Sequence, residues 1–171
     1  MNRPGRTVIP VQKRSAGILM YRQRHGALEV FLVHPGGPFW AKKDAGAWTV
    51  PKGEYTKEEE PLAAAIREFQ EETGFAAEGE FAELGTITQA SGKIVTAWAC
   101  AGEVDPEKLI SNSCEVEWPP RTGRLITIPE VDRGAWFPID EAHGRIFPAQ
   151  QPFLERLKKL LNGRPHARAD R

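Results

Sequence analysis

GEYTKEEEPLAAAIREFQEETGF, residues 53–75, is the stretch from which the rest of this chain is read. Its second half has a helical period and two distinct faces. At about 100° per residue, Leu62, Ala65, Ile66, Phe69 and Thr73 fall on one stripe, which predicts a core-facing side. Glu68, Glu71 and Glu72 stand at i, i+3 and i+4 and gather on a separate flank. Like charges at that spacing repel, so helix stability does not account for them. A hard divalent cation does, because Mg²⁺ takes oxygen ligands and offsets the repulsion. Arg67 is placed to orient the cluster through a bidentate bond. Gly74 is expected to end the helix in the left-handed conformation.

A solvated acidic face is the plain alternative for three glutamates, and the upstream spacing argues against it. Gly53, five residues, Glu59, seven residues, then Arg67-Glu68-Phe69-Gln70-Glu71-Glu72-Thr73-Gly74-Phe75 resembles the Nudix hydrolase signature, G-x5-E-x7-R-E-U-x-E-E-x-G-U, where U is bulky and apolar. Every fixed position is present. Both U positions, Phe69 and Phe75, are aromatic where the family more often has aliphatics, which bears on packing under the helix and not on chemistry. The resemblance implies an α/β Nudix fold, a mixed central β-sheet sandwiched between helices, with the signature as loop-helix-loop. It also implies metal ligation by Glu68, Glu71, Glu72 and the Gly53 carbonyl, with Mg²⁺ or Mn²⁺ as cofactor. Glu59 would support the site and Arg67 would hold a glutamate in place.

The chain has 171 residues, enough for one domain with a real core. Apolar residues at 40% and charged residues at 27% fit a soluble globular protein, and a net charge of zero points to no nucleic-acid surface and no membrane-binding face. Cys100 and Cys114 are the only cysteines, too few for a disulfide framework or a zinc site, so reduced thiols in a cytoplasm are expected. The apolar run 17–21 is too short for a signal peptide or membrane span.

In chain order, residues 1–14 read as a basic, mobile or edge-lying arm. Ser15–Tyr21 and Leu28–His34 read as strands joined by a polar link, Arg22–Ala27. Pro35–Gly46 is a loop rich in glycine and proline, either a plain connection or a cover over a ligand, and it carries Phe39, Trp40, Lys42 and Lys43. Trp48-Thr49-Val50 is expected as a short strand. Phe81–Gln89 and Ile94–Ala101 follow as strands, with a helical turn at 105–109. Residues 111–127 are expected to be irregular, because Trp118-Pro119-Pro120 and Gly123 break regular elements. A last strand around Trp136, a short helix capped near Asp140, and an amphipathic helix over 151–161 complete the domain, placed at 15–161. Residues 162–171 are expected to be a disordered tail.

The resemblance further implies water attack at phosphorus on a nucleoside diphosphate linked to another moiety. Arg67, Glu71 and a later loop carboxylate would be catalytic. Glu115, Glu117 and Glu130 are candidates for that carboxylate. Glu130 is favoured, since PEVDRGAW resembles the loop before a tryptophan-bearing strand in diadenosine tetraphosphate hydrolases and nucleoside triphosphate-cleansing members. The substrate is a small nucleotide. Trp48 to Gly53 resembles the W-x-x-P-K-G entrance of diadenosine tetraphosphate hydrolases, and Lys93 resembles their phosphate-contacting lysine. The tyrosine typical of that subfamily, beyond the signature, is absent from Thr88–Lys93. Lys52 is a candidate phosphate contact, and Trp40, Phe39 or Trp118 a base-stacking surface. Dinucleoside polyphosphate hydrolysis is thus expected, with hydrolysis of nucleoside triphosphates or oxidised dNTPs as the alternative. A non-catalytic nucleotide sensor would need a DNA-binding domain for which no residues remain, and a prenyl diphosphate isomerase would need more context around its cysteine. Monomer and homodimer are both open.

Overall fold

The two early apolar runs pair as a hairpin, longer than the sequence pattern delimits. In the computed structural model, which describes residues 12–163, they form β1 (Arg14–Arg24) and β2 (Ala27–Pro35). Arg22, Gln23 and Arg24 face Glu29, Leu28 and Ala27, so the expected link shrinks to His25-Gly26. Both turn residues have positive φ, 52° and 76°, the handedness that matches strand twist in a two-residue turn. Polar side chains on 22–24 mark the solvent end of a strand and not its stop.

A six-stranded mixed sheet grows around this hairpin in the order β4-β5-β1-β2-β8, with β3 (Lys52–Glu54) also on β1. β4 is Phe81–Thr88, β5 is Ile94–Ala101 and β8 is Val131–Pro138. β1 and β5 run parallel from Arg14↔Ile94 to Tyr21↔Ala101. Burial of β1 on both faces follows, because such strands are covered from either side. One end of the sheet is wedged open. There β3 takes the edge of Ser15–Gly17, while Thr49 bridges to Val33 of β2. Residues 48–54 therefore lie between β1 and β2, and the expected strand at 48–50 is two isolated bridges leading into β3.

Helix α1 (Pro61–Thr73) covers one face of the sheet. Proline opens it, where a missing N–H costs nothing, and Gly74 closes it at φ 78°, its N–H donating to the Gln70 carbonyl at 2.8 Å. Ala65, Phe69 and Thr73 of the expected stripe are fully buried, with Leu62 and Ile66 half-buried beside them. Both aromatic signature positions close edge-on around Phe31 of β2, with ring centroids 6.4 Å (Phe69) and 6.3 Å (Phe75) away. Helices α2 (Ile139–Arg145) and α3 (Gln151–Asn162) cover the other face, burying Ile139, Ala142, Phe153, Leu154 and Leu157. This is the sandwich anticipated above. Pro138 occupies the N-cap of α2, so Asp140 sits in the first turn and does not cap it.

Residues 113–117 and 125–129 are not irregular. They form a second, two-stranded sheet of β6 and β7, paired from Ser113↔Pro129 to Glu117↔Leu125. Trp118-Pro119-Pro120 and Gly123 (φ 72°) are the turn that joins the strands, so the breakers mark a connection. Of the arm and tail placed at 1–14 and 162–171, residues 1–11 and 164–171 lie outside the described residues, Arg14 opens β1 and Asn162 closes α3.

Phe69→Ala empties the space under α1 and should cost about 3–5 kcal/mol, read as a lower urea midpoint. An unchanged midpoint would contradict the packing described.

Candidate active site

The wedge at 48–54 sets the floor of the site, because it delivers Lys52 and Gly53 beside the acidic flank of α1. A Cβ added to Gly53 would fall on the Glu68 carboxylate, so any side chain here would displace that carboxylate from its present place. Lys52 N–H donates to Glu72 Oε2 at 3.0 Å. Arg67 is the hub of the flank. Its Nε and Nη2 donate to the two Glu59 oxygens at 2.8 Å each, and its Nη1 donates to Glu68 at 2.8 Å and Glu71 at 3.0 Å. Glu59, given only a supporting role in the sequence, is thus the bidentate partner of the arginine.

Glu130 arrives from the junction of β7 and β8. Its N–H donates to the Asn112 carbonyl at 2.8 Å, the Asn112 N–H donates to the Glu71 carbonyl at 3.0 Å, and the Glu130 carbonyl accepts from Gly36 N–H at 3.0 Å. Backbone bonds therefore tie this loop to the end of α1 and to the 35–46 loop. Glu130 lines one cleft of about 510 Å³ together with Lys52, Gly53, Glu54, Glu68, Glu72, Lys93 and Trp40. Glu71 is not among the lining residues and bonds Arg67 instead. Glu115 and Glu117 do not line this cleft. Glu117 borders an adjoining hollow of about 280 Å³ with Phe39, Trp40, Trp118 and Pro120, and accepts from Gly123 N–H at 3.2 Å.

Burial and mutual repulsion dominate the electrostatics. Burial is the main force raising the pKa of Glu72, to about 8, with Glu130 and Glu68 adding repulsion. Burial likewise raises Glu68 and Glu130, and the charge on Glu71 pushes in the same sense on both. Lys52 is lowered by burial and then by Lys93. Lys93 bonds Glu54 at 3.0 Å and holds its carboxyl below the ordinary range. Trp40 packs on Phe147 at 5.3 Å and edge-on against Phe39 at 4.9 Å.

The donor set fits a hard divalent cation: oxygen ligands only, crowded together and held partly out of water. Among the described residues, no three acidic, imidazole or thiol side chains already close on one point as ligands. Glu68 and Glu71 bond Arg67, and Glu72 bonds the Lys52 amide, so a cation would compete with those contacts.

Sequence reasoning missed Ser15, Glu54, Cys114 and Ile128, which line the same cleft. No local signal marks them, because each arrives through strand register. His34 was also missed. It is buried at the end of β2, with Nδ1 3.0 Å from Asp132 Oδ1 and Nε2 2.6 Å from the Lys43 carbonyl, and so pins the 35–46 loop.

A mixed sheet between helices thus carries an arginine-braced carboxylate cleft beside two lysines. The NUDIX domain profile matches residues 11–157, so the chain belongs to the Nudix family and is a Nudix hydrolase. The fold is shared with an Ap4A hydrolase from C. elegans in a binary complex, at TM-score 0.64 and 21% identity over 88% of this chain and 99% of that one. It is shared with the NUDIX domain of Shewanella oneidensis NrtR complexed with ADP ribose, at 0.60 and 17% over 90% of each chain. The E. coli ORF135 protein matches at 0.55 and 23%, over 91% of this chain and 95% of that one. Among the described residues no helix is long and apolar enough to cross a membrane.

The raised pKa of Glu72 has a consequence for metal-free protein. An unfolded chain ionises this group near 4.5, whereas the fold delays ionisation to about 8. Its contribution is fully present below pH 4.5 and is lost as pH rises through 8. Glu72→Gln should therefore flatten the fall in melting temperature across that window in EDTA. Parallel curves for the two proteins would refute it.

Proposed function

We propose that this chain, through its unit at 15–161, is a pyrophosphohydrolase of dinucleoside polyphosphates, using Mg²⁺ or Mn²⁺ to split diadenosine tetraphosphate into ATP and AMP. The observation that carries this is the continuity of two hollows through Trp40. The cleft of about 510 Å³ offers Lys52 and Lys93 to a phosphate chain, and the neighbouring hollow of about 280 Å³ offers Phe39, Trp40 and Trp118 to a base. A second nucleoside at the far end of a long anionic bridge uses both. Free thiols at Cys100 and Cys114 accord with a cytoplasmic setting.

Glu68, Glu71, Glu72 and the Gly53 carbonyl would hold the cation, which neutralises phosphate oxygens and acidifies water when bound. The chain's residues do the rest. Arg67 fixes Glu68 and Glu71 in place through the bonds given above. Glu130, raised by burial, is the stronger for it as a base and takes a proton from the attacking water. Water oxygen joins one phosphorus as the P–O bond to the leaving phosphate breaks. Lys52 and Lys93 bind the remainder of the bridge, and aromatic stacking contributes on the order of 1–3 kcal/mol.

With saturating Mg²⁺, Glu71→Gln and Glu72→Gln should each lower kcat by about 10² or more, and Glu130→Gln should reduce kcat far more than KM. Glu115→Gln and Glu117→Gln should change little. A reversed ranking of Glu117 and Glu130 would reassign the loop carboxylate.

A nucleotide panel with product identification tests the substrate. Diadenosine tetraphosphate should show a higher kcat/KM than ATP, dATP or 8-oxo-dGTP, and Lys93→Ala should weaken the longer substrate selectively. Equal or better turnover of the triphosphates would favour the nucleoside triphosphate reading instead.

A further inference from the structure

We propose that Ser15 is a substrate-positioning residue whose hydroxyl donates a hydrogen bond to a phosphate oxygen of the bound chain; this rests on the reading that the cleft takes a polyphosphate. Ser15 is 1% exposed and lines the cleft, and among the described residues its Oγ is the one buried side-chain polar atom with no partner. Buried hydroxyls are normally bonded, because leaving water without a replacement partner is costly. An unpartnered one facing a functional cleft is accounted for by a ligand that completes it.

The surroundings specify that ligand. Ser15 stands in register with Glu54 on β3 and Val95 on β5, so strands on both sides fix its backbone. Two residues on, Gly17 lets β3 close in, since a Cβ there would meet Lys52 Cβ at 2.8 Å. The nearby carboxylate of Glu54 is held by Lys93, leaving the hydroxyl free to donate elsewhere. Lys52 and Lys93 line the same cleft, which favours an anionic acceptor over a cation at this position. The aromatic surface belongs to the adjoining hollow, so a phosphate oxygen suits Ser15 better than a base does. A hydroxyl with no partner among the described residues gives up no intramolecular bond to them when it donates to that oxygen.

Ser15→Ala separates a binding role from a structural one by opposite signs. Inorganic tripolyphosphate is the probe, competing against diadenosine tetraphosphate hydrolysis. Its inhibition constant and the substrate KM should rise about tenfold, the loss of one hydrogen bond to a charged group, with kcat nearly unchanged. The melting temperature of the metal-free variant should hold or rise, because an unsatisfied buried group is gone. Ser15→Cys, a weak donor of similar size, should fall between. Wild-type affinity in Ser15→Ala would overturn the proposal and leave the polyphosphate reading standing. A melting temperature that falls with affinity would overturn it too, since the hydroxyl would then have a partner within the fold. If tripolyphosphate does not compete in the wild-type enzyme, the polyphosphate reading falls and the role of Ser15 with it.

Discussion

Arg67 is what holds Glu59, Glu68 and Glu71 together at one corner of the fold. Glu68, Glu71 and Glu72 repel along α1, and Glu130 is brought up against them. A single guanidinium answers three of the glutamates around it, using its fork on Glu59 and its remaining amine on Glu68 and Glu71. A lysine has no such fork. The helix therefore stands on two supports. One is the stripe of Ala65, Phe69 and Thr73 against the sheet; the other is this charged brace on the opposite flank. Glu72 and Glu130 receive nothing from the brace, and burial pushes their pKa values up, with repulsion from neighbouring carboxylates adding to it.

The position of that corner follows from the sheet. A hairpin whose strands stayed paired throughout would leave no room for residues 48–54, so β1 gives up β2 at one end and takes β3. Buried polar bonds hold the wedge. Gln150 Oε1 accepts Val50 N–H at 3.0 Å, and Gln150 Nε2 donates to Thr49 Oγ1 at 2.9 Å. His34 then fastens the 35–46 loop above it. Floor and wall of the cleft are thus attached to the same two strands, although they are read from separate stretches of sequence.

What is periodic or fixed in spacing was legible. The stripe of α1 and its glycine stop are local geometry, and the structure repeats them. The β6–β7 hairpin was hidden because Pro119, Pro120 and Gly123 look the same whether they end order or turn a chain around. Glu117 and Glu130 are alike in sequence, each a glutamate between apolar neighbours, Val116 and Trp118 in one case and Pro129 and Val131 in the other. Their separation depends on Asn112 and Gly36, which bond the Glu130 backbone from distant parts of the chain. Ser15, Glu54 and Cys114 share a cleft through register alone, and no local pattern encodes that.

The same cleft concentrates features that a fold built for stability would avoid. Burial raises the pKa of Glu72 and lowers that of Lys52, the Ser15 hydroxyl has no partner among the described residues, and Phe39 is 54% exposed. Such departures from local consistency are expected where function sets the terms. Their signs restrict what can relieve them. A cation alone satisfies the glutamates and leaves Lys52 and Lys93 facing added positive charge. An anion alone does the reverse, meeting Glu68, Glu72 and Glu130 across the same space. A ligand that brings both charges, as the proposed phosphate chain with its divalent cation would, relieves both walls at once.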